Sequence, residues 1–150
     1  MFQRPTGFRV LIAVAGAGAV AATLSAAQDG TRRSVWDGVY TEAQAMRGER
    51  DYGRSCERCH GVDLTGDPLT EIPALQSAPF VEHWQGKTLK DLFDVTKRSM
   101  PADEPDSLTT RAYVDVLAYL LSANHFPSGS QELSREPEDL QKIQIEPERK

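Results

Sequence analysis

The chain has 150 residues, 39% hydrophobic and 26% charged, with 17 Lys and Arg against 22 Asp and Glu. That is room for one ordinary domain, and the apolar content argues against disorder over the whole length. A formal charge of −5 speaks against general nucleic-acid binding, which needs phosphate-neutralising cations. Two cysteines only three positions apart, Cys56 and Cys59, exclude a disulfide framework and point to one local site.

The first segment reads as an export leader. Arg4 and Arg9 form a basic start, Val10 to Ala22 is almost wholly Val, Leu, Ile, Ala and Gly, and Ser25-Ala26-Ala27 puts small residues where a signal peptidase reads. Residues 1–27 therefore read as a signal peptide, with the mature chain beginning near Gln28 in the periplasm. The rival reading is an uncleaved membrane anchor, for which the apolar stretch is short and weakly hydrophobic.

Residues 28–40 are a polar lead-in carrying Trp36 and Tyr40. Thr41 opens a helix, with Gln44 placed to complete a capping box. Ala45, Gly48 and Tyr52 share one face of that helix at spacings of three and four. A mid-helix glycine costs roughly 1 kcal/mol against alanine, so Gly48 predicts a neighbour at very close range. Residues 61–86 have no period and are punctuated by Gly and Pro; a loop this long is reasonable in a compact domain if it wraps something that is not protein. A second helix starts at Thr88, with Asp91 as cap partner and Leu89, Leu92, Phe93 and Thr96 on one face. Met100-Pro101 ends it, because the residue before proline disfavours the α region. An acidic loop, 101–108, leads to a third helix from Thr109 to Ala123 with Tyr113, Val116, Leu117, Leu120 and Leu121 as its apolar face, and Asn124 as a left-handed stop. The tail, 127–150, is expected to be mobile or docked peripherally through Leu140, Ile143 and Ile145. No strand is expected.

The chemistry lies in Cys56-Glu57-Arg58-Cys59-His60, a C-x-x-C-H string. On a helical turn, positions i, i+3 and i+4 point the same way, so two thiols and an imidazole face one flat partner. That pattern matches c-type haem attachment, with two thioethers to the haem vinyl groups and His60 as the proximal iron ligand. Zinc needs four N or S ligands, and His83 and His125 stand 42 residues apart, outside any finger spacing. A thioredoxin-like redox pair needs a βαβ context, which is missing. For the opposite side of the iron the side-chain choices are Met46, Met100, His83 and His125. Met46, ten residues before Cys56 on the same helix, lies about 15 Å away along the axis. Met100 follows His60 by 40 residues, enough chain to pass round a haem edge, and its thioether suits reduced iron. Elimination favours Met100, with core filler as the alternative use of a methionine.

Together these residues resemble a class I c-type cytochrome, over about residues 41–126. The resemblance implies an all-α fold of three main helices and long loops around one covalent haem c. Gly48 and Tyr52 resemble the Gly/aromatic pair of the family's first helix, which packs on the last helix; the run Val116-Leu117-Ala118-Tyr119-Leu120 resembles that last helix, with Val116 and Tyr119 as the implied contacts. Met100-Pro101 resembles the methionine-ligand loop. Pro73 resembles the proline whose carbonyl accepts a bond from the proximal imidazole, with Pro68 as a rival. The lead-in Ser34-Val35-Trp36-Asp37-Gly38-Val39-Tyr40 and the stretch from Phe80 to Gly86 resemble exported monohaem cytochromes that accompany quinoprotein (PQQ) dehydrogenases.

With both axial positions filled, the expected function is outer-sphere, one-electron transfer between redox proteins, such as a quinoprotein dehydrogenase and a terminal oxidase or another cytochrome, rather than catalysis. The alternatives are a haem-bearing subunit of a quinoprotein dehydrogenase complex and a haem-based ligand sensor. An apolar haem wall is available from Tyr52, Leu75, Phe80, Trp84, Leu92, Phe93 and Tyr113, all of which serve equally as core. Arg47, Arg50, Arg54 and Arg58 form a basic stripe, read either as a solvated face or as a docking rim for an acidic partner.

Overall fold

The computed structural model of the chain describes Met1 and residues 32–147. The leader and its cleavage point lie outside the described residues. No described helix is long and apolar enough to cross a membrane.

Each of the three main helices starts where the sequence puts a threonine. Thr41, Thr88 and Thr109 adopt extended backbone, and each side chain accepts a hydrogen bond from the amide three residues on, satisfying one of the donors a helix start leaves open. They cap α1 (Glu42–Ser55), α4 (Leu89–Ser99) and α5 (Thr110–Ala123). Between α1 and α4 lie a single turn, α2 (Glu57–His60), and α3 (Ser77–Trp84). The core gathers Tyr52, Phe80, Trp84, Leu92, Phe93, Tyr113, Leu117 and Leu121 from α1, α3, α4 and α5. This is the all-α, class I cytochrome c-like architecture.

α1 and α5 form the most extensive helix pair. Gly48 sits at their crossing: a Cβ there would lie 1.8 Å from the Asp115 carbonyl oxygen and 3.0 Å from the Tyr119 Cβ. The close neighbour demanded by the mid-helix glycine is thus the α5 backbone at Asp115, together with Tyr119; Val116 is buried but is not among the atoms nearest that position. The Tyr52 and Tyr119 rings meet one turn further along, at 5.2 Å.

Four expectations are corrected. The Gly- and Pro-rich stretch contains α3, because Pro79 falls in its first turn, where no backbone N–H is needed. The Gln44 side chain does not close a capping box. Its amide donates to the Leu133 carbonyl (3.2 Å) and accepts from the Leu133 amide (2.7 Å). Asn124 caps α5 with φ of −91°, and His125 takes the left-handed position instead (φ 63°). Finally, the tail carries a strand where none is expected, and from Leu133 onward it docks on the helices. Leu133, Leu140, Ile143 and Ile145 are buried, α6 (Pro137–Leu140) rests on α4, and two short strands, β1 (Arg33–Ser34) and β2 (Ile143–Gln144), pair in parallel. The Trp36 indole N–H donates to the carbonyls of Glu146 and Pro147 (both 3.1 Å). Lead-in and tail therefore make one belt across α1 and α4.

Candidate haem site

The α1 helix ends by bonding the Cys56 amide to the Tyr52 carbonyl (2.8 Å). The Cys56 carbonyl then accepts from the amides of both Cys59 (3.1 Å) and His60 (3.0 Å). This single turn sets the three side chains side by side. Cys56 is half-buried, Cys59 exposed and His60 buried, and both thiols are free. Burial, aided by Asp51 and Cys59, pushes the Cys56 thiol up to about 11. A thiolate-based exchange site requires the opposite shift.

The loop after the turn orients the imidazole. His60 Nδ1 lies 3.2 Å from the Pro73 carbonyl oxygen. A carbonyl only accepts, so Nδ1 carries the proton and donates, and the Nε2 lone pair is left for a metal. Of the two prolines, Pro73 therefore supplies the carbonyl and Pro68 does not. The loop reaches this point by folding back on itself: Asp67 and Ile72 exchange backbone bonds (3.0 and 2.9 Å), and the Gly66 amide donates to the His60 carbonyl (3.0 Å). Gly66 has φ of +65°, and a Cβ on it would stand 2.3 Å from the Ile72 oxygen and 2.6 Å from the Pro73 oxygen. Any side chain at residue 66 would displace the carbonyl that holds His60. The sequence marked Gly66 only as a loop breaker. The Asn124 side-chain amide ties the same loop to α5 by donating to the Leu75 carbonyl (2.9 Å).

Met100 closes α4. Its amide donates to the Thr96 carbonyl (2.8 Å), its own backbone is extended, and its carbonyl accepts the Tyr113 hydroxyl (2.7 Å). An exposed ion pair, Arg58 to Asp103 (2.6 Å), joins the loop after Met100 to the C-x-x-C-H turn. The three rival candidates are all exposed. Met46 is 54% exposed, His83 is exposed with its ring against Trp84 at 5.0 Å, and His125 is exposed beyond the end of α5.

The basic stripe is divided. Arg47 is fixed between Asp115 (2.9 Å) and Glu132 (2.8 Å), Arg54 pairs with Asp51 (3.3 Å), and Arg58 is drawn off to Asp103. Arg47, Arg50 and Arg54 line a surface groove of about 310 Å³ with Arg111 of α5. The Asp115 side chain is 3% exposed, and its second cation, Arg111, stands 3.5 Å away. Arg47→Leu is expected to cost about 2–3 kcal/mol in chemical denaturation, because it strips a buried carboxylate of its close partner. Arg111→Leu, from a 59% exposed side chain, is expected to cost less than about 1 kcal/mol.

The residues present fit a haem: two free thiols and an imidazole on one turn, the imidazole turned so that Nε2 is available, and a loop whose return needs glycine. Fold and turn define a c-type cytochrome domain. Residues 43–120, just over half of the chain, match the family model described as cytochrome c oxidase, cbb3-type, subunit III, and the protein belongs to that family. No curated protein and no solved structure matches the chain.

Proposed function

We propose that the protein is an exported monohaem cytochrome that carries single electrons in the periplasm, with haem c joined to Cys56 and Cys59, His60 as proximal ligand and Met100 as distal ligand. The observation that supports this most directly is the His60–Pro73 bond at the end of the C-x-x-C-H turn, which fixes the tautomer a metal ligand needs. Bound there, the haem supplies a one-electron couple. The chain's own residues do the rest. Pro73 holds the imidazole plane, and the carbonyl bond makes the ring a stronger donor. The Tyr52 hydroxyl donates to the Gly61 carbonyl (2.6 Å) and so fastens the turn to the helix before it. With His60 and Met100 both holding the iron, no position would be left for a substrate, which favours outer-sphere exchange over catalysis. Cys59 is exposed on the turn, so a haem joined to it would present an edge to solvent there. A quinoprotein dehydrogenase as donor and a terminal oxidase or another cytochrome as acceptor are the partners the lead-in resemblance supports.

The test is covalent attachment. The protein is produced with haem-maturation machinery, denatured and extracted with acid acetone. Haem is expected to stay on the polypeptide and to leave with the solvent from the Cys56→Ala/Cys59→Ala double variant. Haem extracted from the unaltered chain overturns the assignment.

A further inference from the structure

One side chain reaches both ends of the loop from Met100 to Leu108. Tyr113 is 1% exposed in the first turns of α5. Its hydroxyl donates to the Met100 carbonyl at 2.7 Å and accepts from the Leu108 amide at 3.5 Å. A single oxygen thus spans both ends of the acidic loop. The ring is held in place by Phe93, edge-on at 6.4 Å, and by Lys97, whose ammonium lies 5.5 Å above it. Lys97 also forms an ion pair with Asp106, and its carbonyl accepts the Asp106 amide (3.1 Å). Loop, α4 and α5 therefore meet on Tyr113.

We infer that Tyr113 is a positioning residue that sets how firmly Met100 holds the iron; this rests on the reading of Met100 as distal ligand. Met100 is anchored on its amide side by the Thr96 carbonyl. Its carbonyl side is anchored by Tyr113 alone among the described residues. Without that second bond the residue is free to turn about its N–Cα axis, which carries the side chain and the carbonyl together, so the thioether moves with the loop. The hydroxyl acts on an opening equilibrium of the loop, not on the iron. Its removal raises the fraction of time the sixth position is open without removing the ligand.

The experiment uses reduced holoprotein and carbon monoxide as the probe, in four forms: unaltered, Tyr113→Phe, Met100→Ala and Tyr40→Phe. Tyr40 is the control because its hydroxyl also makes a buried bond to a backbone carbonyl, Phe126 at 2.6 Å, away from the loop. Tyr113→Phe is expected to bind carbon monoxide about tenfold faster than the unaltered protein, the effect of losing one hydrogen bond from the closed state. It should keep the near-infrared sulfur-to-iron band. Tyr40→Phe is expected to lose stability with no change in that rate. Met100→Ala should bind fastest and lack the band. If Met100→Ala opens the site but Tyr113→Phe binds no faster than Tyr40→Phe, Tyr113 is structural only and the inference fails. If Met100→Ala changes neither rate nor band, the ligand reading fails and takes this one with it. Lys97→Met, which releases Asp106 and the ring together, provides a second variant; it too is expected to speed binding, and an unchanged rate counts against the inference.

Discussion

Leu140→Ala is expected to destabilise the protein by about 2–5 kcal/mol, the range for emptying a buried leucine site. Leu140 lies beyond the matched cytochrome segment, in a tail whose composition reads as mobile. Yet it is fully buried, as completely as Leu117 in the middle of α5. The comparison that checks this is a pair of denaturation curves, Leu140→Ala against Leu117→Ala. Similar losses place the belt in the same cooperative unit as the helices that carry the candidate haem site, whereas a mobile tail would leave Leu140→Ala close to the unaltered protein. The belt has a reason to be cooperative. It touches α1 through Gln44 and Arg47, both on the helix that ends in the C-x-x-C-H turn. It touches α4, which ends in Met100, through α6 and β2. Ending the chain at Phe126 removes all of these contacts and is expected to be worse than any single substitution in the tail.

The parts of the molecule legible in the sequence are those whose cause is local. Thr41, Thr88 and Thr109 each satisfy an amide three residues away, so the helix starts are written in four-residue windows. The C-x-x-C-H turn is equally local, and its order of residues alone points to haem. What escaped the sequence depends on partners distant along the chain. Gln44 looks like a capping residue until Leu133, 89 positions away, occupies its side-chain amide. Strands β1 and β2 are two residues each, too short for any periodic signal, and become strands only because they find one another. Gly66 and Tyr113 carry roles in the site that no spacing announces: one allows a carbonyl to approach His60, and the other joins the ends of a loop. Pro79 misled for a different reason, because proline breaks helix interiors but suits first turns.

Substituting alanine for the two glycines of α1 is expected to give opposite signs. At Gly53 a new Cβ meets only the Glu57 carboxylate oxygen, at 3.4 Å, so the helix gains alanine's better propensity, about 0.5–1 kcal/mol. At Gly48 the same methyl would lie 1.8 Å from a backbone oxygen on α5. Backbone cannot swing aside as a flexible side chain can, so the two helices must part, at about 3 kcal/mol or more, and Gly48→Val should lose more again. The Gly53→Ala result shows whether α1 tolerates change elsewhere; equal stabilisation by both would mean that α1 and α5 do not cross at Gly48. The consequence reaches the site because α1 delivers Cys56, Cys59 and His60 at its end, while α5 carries Tyr113, which holds Met100. The Gly48 crossing is the fulcrum between the two proposed iron ligands. Prising it open is expected to weaken the near-infrared sulfur-to-iron band in Gly48→Ala holoprotein well before the fold is lost, whereas Gly53→Ala leaves that band intact.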